Sequence, residues 1–401
     1  MDILSVESTP EYLVDQQVIA HSDEVLVTQL MGGVSNYVLL VEFLDTQRQN
    51  WVLKQARDRL AVEQEWLCSV ERVIREMDTL QICHDIIAAS GGAPDGRQAV
   101  VPEIHFEDRD NYIYAMTAAP KDCRVWKQDL LGGIVDSDVA RSCGWLLGVL
   151  HSQSWDSQEV QSKIGSTEFF DDLRLDPYYR QIARVHAGLN SPIEKLLQSN
   201  WDHRLCLVHG DYSPKNILVD KQSVVLLDFE VGHYGDPAFD LGFFLTHLHI
   251  KTLIAGTRFN EYANLIDVFW DAYQQQLQTV LSEADLQALQ QRAALNLGAC
   301  LIARVDGKRA GSFSERSCLH CQRTLPRSRK GAVCKGCKLC PPGGNKGWRR
   351  EQGRIDFVAV QGIVREACAG NKWVKEEDER LAIPKGGRLE AYAVSYTHLR
   401  A

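Results

Sequence analysis

Long apolar runs are absent from the sequence. None approaches the roughly 20 residues that a helix needs to cross a bilayer. The amino-terminal stretch MDILSVESTPEY contains acids and no basic segment ahead of an apolar one, so neither a secretory signal nor a transit peptide is predicted. We also find no internal repeat. The chain is therefore expected to be cytoplasmic and to have no membrane partner.

Positive charge is scarce over most of the chain. Residues 1–308 contain 25 Lys and Arg against 44 Asp and Glu, whereas residues 309–401 contain 19 against 9. An acidic body repels the phosphates of nucleic acids, so no nucleic-acid partner is expected for it. The same acidity would tolerate a cationic substrate.

The remaining composition is typical of a soluble globular protein: 401 residues, of which 45% are hydrophobic and 24% charged. This length allows two or more domains. Irregularly spaced cysteines in a chain without a predicted signal indicate reduced, mostly buried thiols. In the first 308 residues they are Cys68, Cys83, Cys123, Cys143, Cys206 and Cys300.

Hydrophobic periodicity divides the chain into a β-rich part and a helical part. Alternating apolar residues predict three antiparallel strands in EVLVTQL, NYVLLVEFL and NWVLKQA, and VVPEIHFEDRDNYIYAMTAAP predicts a hairpin. Between them, apolar residues at helical spacing predict a helix over 61–83. After Pro120 helical patterns dominate, interrupted by short strands in RLCLVHG, NILV and VVLLDF.

These elements predict an α+β, bilobal fold. A small antiparallel β-rich N-terminal lobe would span 1–117, and a larger, mainly helical C-terminal lobe would span 118–308. The basic, cysteine-containing residues 309–401 would form a separate tail.

The stretch LVHGDYSPKNILVDKQSVVLLDFE places three oxygen-bearing side chains around two apolar runs. Phosphoryl transfer from a nucleotide requires a base aligned with the acceptor hydroxyl and metal ligands that hold the phosphates. Asp211 suits the base, while Asn216 and Asp228 suit Mg²⁺, which prefers hard oxygen ligands. A lone His-Gly-Asp is also typical of a structural turn, but the offsets to the other two side chains favour chemistry.

HGDYSPKNIL, followed by LLDFE and GDPAFDL, resembles the aminoglycoside phosphotransferase family of small-molecule kinases. These enzymes are related to choline and methylthioribose kinases and share the protein-kinase-like fold. The resemblance extends from about Val25 to Lys308. It implies a nucleotide-binding N-terminal lobe, a C-terminal lobe that carries catalysis and the substrate, and ATP, or GTP, with Mg²⁺ as cofactors.

The resemblance also assigns roles within the loop. Asp211 would be the catalytic base, and His209 and Asp240 would brace it. Gly210 stands where protein kinases have arginine, and Glu230 replaces the glycine of their D-F-G motif. Both departures favour a small metabolite over a peptide as the acceptor.

In the N-terminal lobe the resemblance implies a phosphate-covering loop in GGVSN, a phosphate-pairing lysine on the third strand, a glutamate partner on the following helix and a hinge in YAMTAAP. Taken alone, GGVSN is typical of a hairpin turn, and Lys54 is typical of a solvent-exposed lysine on a strand. Glu65 is the alternative to Glu76 as the glutamate. The candidate nucleotide-binding residues are Gly32, Gly33, Ser35, Asn36, Lys54, Glu76 and Met116, and Lys54 is also counted as catalytic.

The implied activity is transfer of the γ-phosphate of the nucleotide to a hydroxyl of a small molecule. A catalytically silent nucleotide-binding or scaffold protein of the same fold is the alternative, although Lys54, Asp211, Asn216 and Asp228 are all present. The acidic body permits an aminoglycoside or an amino alcohol as the acceptor. Methylthioribose-like sugars and homoserine-type acids stay open, because fold and reaction do not fix the substrate.

The tail admits two interpretations. Cys318, Cys321, Cys334 and Cys337 have the spacing C-x₂-C-x₁₂-C-x₂-C, which predicts a tetrahedral Zn²⁺ ribbon and a nucleic-acid-associated protein. However, the family resemblance stops at ARVDGK, and the residues that follow lack apolar periodicity. The final VSYTHLRA resembles translated sequencing-adaptor DNA. A frame-shifted, non-native tail is therefore the competing interpretation.

Overall fold

The computed structural model describes residues 3–30, 36–45, 48–56, 69–93 and 96–306. Gly32, Gly33, Ser35, Glu65 and the cysteine-rich tail lie outside these ranges. The strands in these ranges are β1 (Val25–Gln29), β2 (Asn36–Phe43), β3 (Trp51–Ala56), β4 (Gln98–Val100), β5 (Ile104–Asp108), β6 (Ile113–Thr117), β7 (Arg124–Val125), β8 (Cys206–Val208), β9 (Ile217–Val219), β10 (Ser223–Leu226) and β11 (His233–Gly235).

Helices dominate the second half of the described chain. The α-helices are α1 (Thr9–Asp15), α2 (Arg72–Ala89), α3 (Trp126–Gly132), α4 (Ser137–Gln153), α5 (Gln158–Ile164), α6 (Glu168–Phe170), α7 (Gln181–Val185), α8 (Asn190–Asp202), α9 (Ala238–Ile254), α10 (Phe259–Leu277) and α11 (Glu283–Asp306). A π-helix covers Asp171–Arg180, and short 3₁₀ turns cover Ala187–Leu189 and Gly256–Arg258. None of the described helices is both long and apolar enough to cross a membrane.

Five antiparallel strands form the sheet of the N-terminal lobe, in the order β1-β2-β3-β6-β5. Because side chains alternate along a strand, one face of the sheet packs on α1 and the other on α2. Leu13 of α1 joins Leu39, Val41 and Leu53 in the first of these cores. The other face carries Lys54, directly opposite Tyr114 of β6 and Val38 of β2.

The C-terminal lobe combines paired helices with a β ribbon. Helix α4 packs against α10, and α9 packs against α11. A side chain at Gly144 of α4 would collide with the backbone of Phe269, so glycine permits the close contact of α4 with α10. The ribbon of β9 and β10 is extended by β7 on one edge and by β4 on the other. Strands β8 and β11 form a separate antiparallel pair; in the sequence, β8 precedes the ribbon and β11 follows it.

The α+β prediction is confirmed, and most elements agree with the sequence periodicity. The three N-terminal strands and the hairpin lie where they are predicted, within one or two residues. Helix α2 covers Arg72–Ala89, so it begins and ends later than the predicted 61–83: Val70 and Glu71 form a turn before it, and residues 61–68 lie outside the described ranges. The sequence patterns did not predict the short elements α1, β4, β7 and β11.

Candidate active site

The loop after β8 carries Asp211 in a dense set of polar contacts. Its Oδ2 atom lies 2.9 Å from Arg174 Nη2 and 2.7 Å from Lys215 Nζ, and it accepts a 2.9 Å hydrogen bond from Asn216 Nδ2. Burial alone would raise the pKa of this carboxyl, but the two cations outweigh it and hold the pKa well below its usual range. Asp211 is therefore a carboxylate at neutral pH.

Asp240, near the start of α9, holds the backbone that precedes Asp211. Its two carboxylate oxygens accept hydrogen bonds from His209 N at 2.6 Å and Gly210 N at 2.9 Å. His209 in turn accepts a 3.2 Å hydrogen bond from the backbone N–H of Asp211 at Nδ1, and its Nε2 faces the carbonyl of Leu227 at 3.2 Å. The His209 ring thus links the loop to the β ribbon.

Gly210 has a backbone conformation that other residues avoid. Its φ is +75°, and an added Cβ atom would lie 2.8 Å from the carbonyl oxygen of Val231. A larger residue here would be strained and crowded. The glycine that distinguishes this loop from that of protein kinases is therefore required by the local backbone.

The β ribbon returns Asp228 to Asn216. Ile217 of β9 pairs with Leu226 of β10, and the N–H of Leu227 donates to the carbonyl of Asn216 at 2.9 Å. Asp228 is the next residue after Leu227, and it has a φ of +74° and a partly exposed side chain. The amide nitrogen of Asn216 donates to Asp211, so a metal ion bound by this side chain would be held by its carbonyl oxygen.

The N-terminal lobe faces this loop and ribbon across a cleft. There, Lys54 of β3 forms a largely buried ion pair with Glu76 of α2, with 2.5 Å between Nζ and Oε1. Asn36 Nδ2 donates to the other carboxylate oxygen at 3.2 Å. Burial would lower the pKa of Lys54, but Glu76, with Tyr114 and Asp228, outweighs it and raises the pKa well above its usual value. The field of Asp228 thus reaches Lys54.

Acidic groups crowd this side of the cleft. Burial, together with the charges of Asp228 and Glu76, raises the pKa of Glu230 to about 7. Glu230 Oε2 lies 3.5 Å from Nε of the fully buried Arg72. The carboxylates therefore repel one another, and Arg72 and Arg174 offset part of that repulsion.

The structure brings together most of the predicted residues that it describes. Met116 lies inside β6, opposite Val52, and is 4% exposed on the face that carries Lys54. Arg174 was missed, because it lies on the π-helix, 37 residues before Asp211, and no local pattern marks it. Lys215 was within the quoted loop, but its side-chain direction could not be read from the sequence.

A family comparison agrees with this geometry. Residues 27–279 match the family described as "Phosphotransferase enzyme family". The chain belongs to this family. The matched segment of this phosphotransferase-family chain includes the ion pair of Lys54, the loop of Asp211 and the ribbon that carries Asp228.

Curated relatives of this phosphotransferase-family chain include methylthioribose kinases. That of Cronobacter sakazakii is 24% identical over 246 residues, covering 55% of this chain and 59% of that kinase. That of Erwinia tasmaniensis is 26% identical over 255 residues, covering 56% and 61%. The chain therefore spans about three fifths of the length of the curated relatives that it matches.

Solved structures that resemble the chain include two choline kinases. The enzyme from Cryptosporidium parvum has a TM-score of 0.45 and 11% identity, and covers 75% of this chain and 90% of its own. The enzyme from Streptococcus pneumoniae has a TM-score of 0.41 and 15% identity, and covers 79% and 97%.

Proposed function

We propose that the protein is a kinase that transfers the γ-phosphate of ATP to a hydroxyl of a small molecule. The observation that carries the proposal is the arrangement of the Asp211–Asn216 pair and Asp228 on one side of the cleft, facing the Lys54–Glu76 ion pair. Membership of the phosphotransferase enzyme family supports it. The methylthioribose kinases among the relatives support a small-molecule acceptor.

The residues fit a divalent cation. The carbonyl oxygen of Asn216 and the carboxylate of Asp228 are hard oxygen donors held side by side by the ribbon. Burial, followed by the negative charges of Asp228 and Glu76, raises the pKa of Glu230, and a cation beside these carboxylates would offset that repulsion. When bound there, Mg²⁺ would neutralise the charge of the transferring phosphates.

Each side chain has a role in this proposal. Lys54, held by Glu76, would bind the nucleotide phosphates. Asp211 would orient the acceptor hydroxyl and take its proton as the oxygen attacks phosphorus. Since Arg174 and Lys215 lower the pKa of Asp211, this carboxylate is a weak base, so we assign it more to orientation than to early proton removal. Asn36 and Met116 would line the nucleotide site from the sheet.

The proposal is tested by two measurements on the full chain. ATP with Mg²⁺ should raise the melting temperature, because a ligand that binds the native state stabilises it. ADP release should then depend on one or more hydroxyl compounds in a panel of sugars, amino alcohols and hydroxy acids. Binding without any acceptor-dependent release would favour the silent nucleotide-binding alternative, and absence of both would refute the kinase assignment.

A further inference from the structure

One face of α9 carries a row of side chains that leads away from the catalytic loop. Phe243, His247 and Lys251 are spaced four residues apart, so they share that face. Arg304 of α11 lies against the same face. Its Nη2 atom is 2.8 Å from His247 Nε2, and its guanidinium carbon is 5.3 Å from the centroid of the Phe243 ring.

Two contacts join this face to the site of Asp211. The guanidinium of Arg174, which bonds to Asp211, lies 5.9 Å from the centroid of the same Phe243 ring. The backbone N–H of Lys127, at the start of α3, donates to the carbonyl of Pro214 in the catalytic loop at 2.9 Å. We call Lys127, His247, Lys251 and Arg304 the basic row.

Two members of the basic row, Lys251 and Arg304, lack a counter-charge among the described residues. Within the part of the chain that the structure describes, neither Lys251 nor Arg304 forms an ion pair with an Asp or Glu. Lys251 is 6% exposed, and Arg304 Nε is buried without a hydrogen-bond partner. Buried cations without a counter-ion are costly and are usually paired, so an added anion would stabilise the arrangement.

Electrostatics agrees with the contacts. Burial, with the charges of Lys127 and Arg304, lowers the pKa of Lys251 to about 8. Burial and the same cationic neighbours also lower the pKa of His247, whose Nε2 accepts from Arg304. The charge of Lys215, in the catalytic loop, also contributes to the lowered pKa of His247, so the basic row lies within electrostatic reach of that loop.

We propose that the basic row binds an anionic group, a carboxylate or a phosphate, on the acceptor whose hydroxyl is presented to Asp211. This inference names the substrate class of the proposed kinase and rests on that function. The reaction is a kinase transfer: the acceptor oxygen bonds to the γ-phosphorus, the bond to the ADP oxygen breaks, and the hydroxyl proton leaves to Asp211. A cationic acceptor, which the acidic composition of the body would tolerate, is the competing substrate class at this site.

Acceptors of matched shape and different charge test the substrate class. The full chain with Mg²⁺ and ATP would be assayed for ADP release with glycerol, glycerate and glycerol phosphate, and with gluconate against sorbitol. We expect kcat/KM to be at least about tenfold higher for an anionic member, as one charged hydrogen bond allows. Glycerate and glycerol phosphate distinguish a carboxylate from a phosphate. Equal or better use of the neutral compounds, or of a hydroxylated amine, would overturn the inference and leave the kinase function standing.

Variants of Lys251 test the site itself. Lys251→Met should raise KM for the anionic acceptor by about 10- to 100-fold with little change in kcat or in KM for ATP, and Lys251→Arg should restore most of the affinity. Lys195→Met, an exposed lysine on α8, is the matched control. A fall in kcat alone, or the same change in the control, would contradict a binding role.

Inorganic phosphate provides a readout that needs no turnover. With ADP and Mg²⁺ present to occupy the nucleotide site, phosphate should raise the melting temperature of the wild-type chain and of Lys195→Met. The rise should be at least halved in Lys251→Met. Equal rises in all three proteins would overturn the proposed anion site. If no acceptor is phosphorylated and ATP does not bind, the kinase function fails, while the phosphate comparison still decides whether an anion site exists.

Discussion

The two sides of the catalytic loop handle charge differently. On the side of the five-stranded sheet, two cations have a carboxylate partner: Lys54 pairs with Glu76, and Arg72 lies beside Glu230. On the side of α9 and α11, Lys251 and Arg304 pair with no carboxylate of the described residues. The first side has an excess of acids, and the second has an excess of bases.

This difference indicates which charge each ligand would supply. A metal cation would complete a site with surplus carboxylates, and in the function proposed above the Asn216 and Asp228 oxygens would be its ligands. A site with surplus ammonium and guanidinium groups is completed by an anion. Asp211 lies between the two and is held by Arg174 and Lys215. The predictions below change one side at a time.

The largest effect is expected from Asp211→Asn, which removes the carboxylate between the two sides and keeps its shape. Turnover should fall by about 10²- to 10⁴-fold, since a positioned base contributes roughly this factor. Binding of ADP with Mg²⁺, measured by calorimetry, should stay within about twofold because the nucleotide side is intact. Asp271→Asn on the exposed surface of α10 is the control. Unchanged turnover would remove Asp211 from the mechanism.

Lys54→Met should remove the ion pair between Lys54 and Glu76 in the N-terminal lobe. It leaves Glu76 as a buried charge without its cation, so the free energy of unfolding in urea should fall by about 3 kcal/mol or more. Adding Glu76→Gln should recover most of that loss, because no charge is then left unpaired. ATP binding should stay impaired in both variants. If the double variant bound ATP normally, Lys54 would have no role with the phosphates.

Local sequence pattern was sufficient for the elements that hold the site. Alternation in NYVLLVEFL and NWVLKQA predicted β2 and β3, and thus the position of Lys54. The offsets in the loop and ribbon predicted that Asp228 returns to Asn216, since a hairpin fixes that geometry locally. The pairing of Lys54 with Glu76 needed the family resemblance, because the alternative Glu65 has similar helical spacing.

The basic row could not be predicted in this way. Lys127, Lys251 and Arg304 come from three helices and meet only through the packing of α9 on α11 and of α3 on the loop. Arg174 likewise reaches Asp211 from a π-helix with no recognisable motif. Net charge is an average over the chain, so the acidity of the body does not predict a local cluster of bases. Long-range packing, rather than local pattern, decides the charge that a substrate meets.

A smaller effect is expected at Gly210, where the two sides meet. Gly210→Ala forces a side chain into a φ of +75° and against the carbonyl of Val231, so it should cost about 1–3 kcal/mol of unfolding free energy. Because the same backbone positions Asp211, turnover should fall together with stability. Gly188→Ala, where an added Cβ meets no atom within 4 Å, is the matched control. Equal stability of the two variants would show that the loop adapts.

The smallest effect separates the two lysines by pH. Burial and the charges of Lys127 on α3 and Arg304 on α11, beside His247 on its own helix, lower the pKa of Lys251 to about 8 from 10.5. Between these values the unfolded chain binds more protons than the folded one, so the destabilisation by Lys251 is complete below about pH 8 and is relieved as the pH rises. For Lys54, whose pKa is raised, the effect of pH on stability has the opposite sign, and its stabilising ion pair is lost only at higher pH.

From pH 7 to pH 9, wild type should gain roughly 1 kcal/mol of unfolding free energy relative to Lys251→Met, measured by parallel urea titrations. Parallel pH profiles would mean that Lys251 carries no buried charge, and the contrast between the two sides would be lost.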